Sequence, residues 1–318
     1  MKLKKIYDLA VKCGKFSDPR GAEGVEKELI RVRKKYDDMT EKKKLLFDKE
    51  SLVNPFSDTR ILYGTGEEDV KTILVGVDME VGEVVLADRL REKGKRIDLV
   101  LSHHPEGKAL AALSDVMKLQ TDVLLKYGVP VNVSEALMEE RMQEVKRCFL
   151  PINHNRAVDA AKILDIPFMC VHTPTDNLVQ KFLNNIFNEK KPEFVSEIID
   201  ILNDIPEYRQ AISLNAGVCV ISGTDGRRCG KIMVDMTGGT EGSKKIFENL
   251  KNSGVSTIVC MHLSEEHLKE AKSNHLNVIV AGHISSDNIG INLLIDELDA
   301  VEDLNIIECS GFTRVKRL

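Results

Sequence analysis

Residues 97–105 read I-D-L-V-L-S-H-H-P, and this stretch constrains the fold more than any other. A run so short and so apolar fits a strand buried on both faces, the habit of a parallel sheet covered by helices. Neighbouring side chains on a regular strand point to opposite faces. His103 and His104 can therefore reach one site only if the chain leaves strand geometry there. Pro105, which lacks an N–H and restricts the residue before it, makes that exit expected. In open α/β sheets ligands gather beyond the carboxyl ends of the strands, which is where this pair sits.

The chain around it keeps the same rhythm. Residues 72–77 (T-I-L-V-G-V) read as a buried strand, 83–92 as a helix, 109–126 as a helix, 129–133 (V-P-V-N-V) as a strand and 135–148 as a helix. A helix near 157–164 leads into the strand I-P-F-M-C-V. This alternation predicts βαβ units. Laying Ile73 on Ile232 and sliding without a gap also lays L-V-L (99–101) on I-V-C (258–260) and His103 on His262. A third strand, N-V-I-V-A, follows there as V-P-V-N-V does in the first half, so the pattern suggests a duplicated unit. Residues 218–222 and 231–235, separated by G-T-D-G-R-R-C-G, read as a hairpin.

The expected architecture is α/β, with two similar units, each a small mixed, mostly parallel sheet flanked by helices, and an extra helical N-terminal segment. The boundaries expected are 1–55 for the helical extension, 56–188 for the first unit, 189–216 for a connecting helical segment and 217–318 for the second unit. Leu3, Ile6, Leu9 and Ala10 recur at helical spacing. Residues 23–49 carry opposite charges three and four apart, the mark of a solvated helix face; the interleaved acids weaken the alternative of a polyanion site.

Composition excludes several classes. Aromatic residues are only 5% and tryptophan is absent, so no base-stacking surface is indicated, and a net charge of −5 argues against nucleic acid as a partner. Seven cysteines form no C-x-x-C pair. Cys219 and Cys260 lie in apolar runs, where buried reduced thiols are expected. Asp8 and Lys12 interrupt the opening stretch, so it lacks the apolar core of a signal peptide, and no apolar run has the length of a membrane span. A cytoplasmic protein with no membrane partner is the expectation. There is no G-x-x-x-x-G-K-[ST] and no G-x-G-x-x-G, so the usual nucleotide cradles are unsupported.

Two more strand exits carry histidine. I-P-F-M-C-V runs into H-T-P-T-D-N, with His172 and Asp176 four apart, and N-V-I-V-A runs into G-H-I-S-S-D-N, with His283 and Asp287 at the same spacing. Either aspartate could be a helix N-cap. Taken with four histidines at corresponding sheet ends, the set is better explained as metal ligands, since imidazole and carboxylate suit zinc, iron, manganese, cobalt or nickel. A carboxylate can bridge two such ions, and a paired site activates water.

With these residues the chain resembles the Nif-three-like family (NGG-one-interacting factor three), whose members are also called GTP cyclohydrolase 1 type 2 homologues. I-L-V-G-V-D followed by D-L-V-L-S-H-H-P, then H-T-P-T-D and G-H-I-S-S-D, look like the family's strand-ending H-H-P, its H-T-x-x-D segment and its C-terminal G-H-x-x-x-E. The resemblance implies intertwined α/β units, a toroidal hexamer, and two divalent metal ions per subunit held by His103, His104, Asp176, His283 and Asp287. It makes Asp176 the bridge and puts His172 close by as a catalytic residue. The chain departs from the family pattern in having Asp287 where glutamate is usual, in its N-terminal helices, and in a longer stretch between Pro105 and His172. That stretch contains a competing pair, His154 and Asp159.

The remaining histidines carry blander expectations: no ligand role for His262, and solvation for His267 and His275. The function expected is a metal-dependent hydrolase acting on a small-molecule substrate through a metal-bridged water, with His172 or His154 moving the proton. GTP ring opening comes with the resemblance alone, and no residue specifies guanine. The rival is a non-enzymatic metal-bearing scaffold or delivery protein. A D-H-H phosphoesterase is disfavoured because Ser102 stands where the aspartate belongs.

Overall fold

The computed structural model describes residues 1–317. The chain opens with α1 (Leu3–Ser17), α2 (Gly21–Asp37) and the short α3 (Glu41–Lys44). The apolar stripe of α1 faces the core: Leu3, Ile6 and Ala10 are buried with Val75 and Leu101, and the partly buried Leu9 packs against them. By contrast α2 buries only Val25, as its alternating charges require.

The first unit follows with β1 (Arg60–Tyr63), β2 (Thr72–Gly76), α4 (Val81–Glu92) and β3 (Leu99–Ser102). A helical stretch comes next: α5 (Gly107–Ala111), α6 (Leu113–Val116), α7 (Lys118–Tyr127), α8 (Val131–Phe149) and α9 (Arg156–Ile163). β4 (Phe168–Cys170) and the long α10 (Thr173–Lys190) close the unit. After α11 (Val195–Asn203) and α12 (Pro206–Ser213) the pattern repeats as β5 (Cys219–Ser222), β6 (Lys231–Asp235), α13 (Phe247–Asn252), β7 (Val255–Cys260), α14 (Glu265–Ser273), β8 (Asn277–Val280) and α15 (His283–Asp299). β9 (Asn305–Glu308) is the last regular element among the described residues.

The first sheet has the order β1-β4-β3-β2-β9 and the second β5-β8-β7-β6, so strand for strand they share one topology, with β9 added to the first. In each, one edge strand is antiparallel, β1 to β4 and β5 to β8, and the rest are parallel. The units also exchange helices. α10 leaves the first sheet and packs Val179 and Leu183 against Val234, Val259 and Ile279 of the second. α15 leaves the second sheet and packs Ile291, Leu294 and Ile295 against Ile73, Val75 and Leu101 of the first. This exchange is what makes the units intertwined.

Three expectations of local structure are corrected. V-P-V-N-V is not a strand: Pro130 is the N-cap of α8, which buries Ser134, Met138 and Val145 at helical spacing. The true third strand is β4, aligned with β8. Residues 109–126 form not one helix but α5, α6 and α7, because the chain bends at Ala112 and Met117 to bury Leu113, Val116 and Met117. The two strands read as a hairpin, β5 and β6, lie at opposite edges of their sheet. A parallel neighbour in β7 buries Met233 and Val234 of β6, whereas β5 suits an edge because Cys219 is exposed, contrary to its expected burial.

Candidate metal centre

β3 ends at Ser102, and the chain bends at His103 and His104. Their N–H groups donate to Gly76 O and Val77 O at 3.0 and 2.9 Å, which holds the exit loop against the end of β2. Both imidazoles thereby face one place, with ring centroids 5.1 Å apart. His172 is the N-cap residue of α10 and Asp176 lies in its first turns; His283 opens α15 and Asp287 lies one turn on. The two helices come from different units, and their N-termini, the ends that favour anionic groups, converge on the histidine pair. Neither Asp176 nor Asp287 makes a cap hydrogen bond, which disposes of the capping alternative.

The structure brings all six expected residues together. His103 Nε2 lies 3.5 Å from Asp176 Oδ1 and 3.3 Å from Asp287 Oδ1. Asp287 Oδ2 lies 3.6 Å from both His104 Nε2 and His283 Nε2, which are 3.4 Å from each other. His172 Nε2 is 3.9 Å from Asp176 Oδ2. Three groups of three potential ligands result: His103 with Asp176 and Asp287, His104 with His283 and Asp287, and His103 with His104 and His172. Asp287 belongs to two of the three groups, with Oδ1 toward His103 and Oδ2 toward His104 and His283, and Asp176 belongs to one.

These atoms are in a state that a cation would satisfy. His103, Asp176 and Asp287 are 2%, 5% and 1% exposed, yet His103 Nε2, Asp176 Oδ1 and both Asp287 oxygens have no hydrogen-bond partner. Buried polar atoms left unpaired are costly and rare. Burial pushes Asp176 up to about 7 against the pull of His172, with Asp287 adding to the rise. Burial would also raise Asp287, but His103, His283 and His104 outweigh it and bring it down to about 2. Burial lowers His283 to about 4, with the neutral imidazole that a metal requires. The buried His and Asp groups can therefore hold a metal ion.

Three residues that sequence reasoning missed orient the rings. His103 Nδ1 is 2.9 Å from Thr175 Oγ1 and 3.2 Å from Val171 O. His104 Nδ1 is 2.6 Å from Asp78 Oδ1, and His172 Nδ1 is 2.9 Å from Asp58 Oδ2. Each partner engages Nδ1 and leaves Nε2 for the cluster, as outer-shell groups do around metal-binding histidines. Asp78 had a usable signal, since it follows β2 at the same sheet end as His103; Asp58 and Thr175 had none. His172 is raised to about 9 because Asp176 and then Asp58 outweigh the opposing effect of burial.

The competing pair falls away. Asp159 is exposed on α9, and His154 takes part through its backbone O, which accepts from Gly107 N at 2.8 Å; neither belongs to a potential metal group. His267 is not solvated but buried, with Nδ1 2.7 Å from Ser264 Oγ and Nε2 3.0 Å from Gly242 O. His275 is exposed as expected. Among the described residues no helix is long and apolar enough to cross a membrane.

No family profile and no curated protein matches the sequence. Solved structures do. A NIF3 superfamily protein from Sphaerobacter thermophilus is similar over 80% of this chain and 92% of its own, at 24% identity and a TM-score of 0.70. Reduced HcgD from Methanocaldococcus jannaschii is similar over 85% of this chain and 97% of its own, at 15% identity and a TM-score of 0.53. The chain thus has the fold of the NIF3 superfamily, two mostly parallel sheets flanked by helices.

Proposed function

We propose that this chain is a divergent Nif-three-like protein that binds two divalent metal ions and uses them for hydrolysis of a small molecule. The observation that carries this reading is the convergence of four buried, unpaired donor atoms from three residues that lie on different elements of both units. His103, Asp176 and Asp287 would hold one ion, and His104, His283 and Asp287 the other. Bound divalent ions would act as Lewis acids, lowering the pKa of a water and polarising a substrate oxygen.

This chain's residues supply the rest. Thr175 and Asp78 fix the rings of His103 and His104 so that no rotamer search accompanies binding. Asp58 holds Nδ1 of His172 and directs its Nε2 toward Asp176, where a proton can be held and passed on. The partly exposed His283 also permits ion exchange, which favours a second reading, a metal-delivery protein without turnover.

Elemental analysis of protein purified without chelator or tag tests the first step. Wild type is expected to retain divalent metal, and His103→Ala to lose most of it while circular dichroism stays unchanged, because the strands bury their apolar faces without the ions. Wild-type metal content in His103→Ala would end this reading. Turnover of any substrate that Asp176→Ala abolishes in a folded protein decides for hydrolysis over delivery.

A further inference from the structure

The His and Asp cluster occupies only one wall of its cleft. The opposite wall is built at the carboxyl end of the second sheet from Asp235 on β6, Cys260 on β7, His262 just beyond it, and Glu241 on the loop before α13. His262 is the counterpart of His103, and its ring centroid lies 4.9 Å from that of His283. Glu241 is held between two imidazoles, with Oε1 3.3 Å from His262 Nδ1 and Oε2 3.5 Å from His267 Nδ1. Burial would raise Glu241, but His262, His267 and the Ser264 N–H outweigh it and pull it down to about 2. Among the described residues lining the cleft there is no lysine or arginine.

An apolar chamber of ≈ 50 Å³ adjoins this wall and shares Asp235, Thr237, Glu241 and His262 with the cleft. Val123, Met138, Met233, Phe247 and Leu250 line it further in. Its far side is α7 and α8, which belong to the stretch between β3 and β4 that has no counterpart between β7 and β8. The same helices clamp the loop that carries Glu241. Gln120 Nε2 donates to Gly238 O and Thr240 O at 2.7 and 2.6 Å, and Arg141 Nε donates to Glu241 O at 3.0 Å. Gly238 has φ +106°, and a Cβ there would stand 2.5 Å from Gln120 Cγ, so only glycine lets the loop lie this close.

We propose that the second-unit wall and its chamber form a selecting subsite for a small primary amide or urea-like molecule with a short alkyl arm. Carboxylates only accept hydrogen bonds, so Glu241 and Asp235 call for N–H donors and repel phosphate or carboxylate groups. A space of ≈ 50 Å³ holds a few water-sized groups, which suits an arm of about two to four carbons. The ligand's carbonyl then faces the cluster on the first wall. What happens at that carbonyl rests on the metal-centre reading; the two second-unit contacts do not.

The test titrates the zinc-treated full chain with butyramide, acetamide and N,N-dimethylbutyramide, followed by ligand NMR, with zinc content measured on the same samples. Butyramide is expected to bind about tenfold more tightly than acetamide, the effect of burying two further methylenes. It is also expected to bind about tenfold more tightly than its dimethyl analogue, which keeps the carbonyl but has no N–H to donate. Glu241→Ala should erase the second preference and Val123→Leu should shrink the first, with zinc content unchanged. Equal binding of the three probes by wild type, or preferences that survive both substitutions in folded protein, overturns the proposal. Wild type that takes up no zinc overturns the metal-centre reading alone, because the two ratios are read on that protein all the same.

Discussion

Gly290 of α15 passes Thr175 of α10 backbone to backbone: a Cβ on Gly290 would stand 2.5 Å from the Thr175 carbonyl oxygen. These helices carry Asp287 and Asp176, and Thr175 itself holds His103 Nδ1. The absence of one methyl group therefore lets carboxylates from two units reach the same imidazole. Gly290→Ala is expected to push the helices apart, at a cost of about 1–3 kcal/mol for overpacking. Thermal denaturation should show a lower Tm, and zinc titration a weaker affinity. An unchanged Tm would mean that the contact yields freely and does not set the site.

Asp58 is fully buried and accepts from His172 Nδ1 at 2.9 Å, Thr173 Oγ1 at 2.6 Å and Thr173 N at 3.3 Å. Burial would raise its carboxyl, but His172 and Thr173 hold it below the usual range. Asp58→Ala leaves these donors unpaired in the interior, at about 1–3 kcal/mol for each such group. Asp58→Asn keeps an acceptor oxygen and should lose less. Urea denaturation of the two variants checks the order, and equal losses would count against the hydrogen bonds as the cause.

The Glu241 pair predicts a pH response. Its folded pKa of about 2 lies below the unfolded value of about 4.3, so its contribution is fully present above that unfolded value and is lost as pH falls toward about 2. His262 is raised, chiefly by its hydrogen bond to Glu241, so its share is present below about pH 6.5 and fades as pH climbs through the raised value. Urea midpoints of wild type and Glu241→Gln should therefore differ most near about pH 5.5 and converge near about pH 2. Parallel curves across that range would refute the pairing.

The strand exits were legible because burial of a short strand is written in a handful of adjacent residues: β2 and β3 lie where their apolar runs stand, and His103, His104, His172 and His283 all sit just past such runs. V-P-V-N-V misled for the same reason. Its β-branched residues favour a strand locally, and packing of Met138 and Val145 decided for a helix. The hairpin reading failed because pairing partners are chosen by sheet burial across the whole unit, not by the glycines between two strands.

The amino-acid sequence by itself determined the α/β rhythm, the repeat and the residue types at each strand end, since these depend on side-chain periodicity over a few positions. Only the tertiary structure decided that α10 and α15 trade sheets, that Asp287 reaches His103 with one oxygen and His104 and His283 with the other, and that Asp58, Asp78 and Thr175 orient the rings. Those outcomes depend on which surfaces bury one another across long stretches of chain, and contacts of that kind leave no local pattern from which to read them.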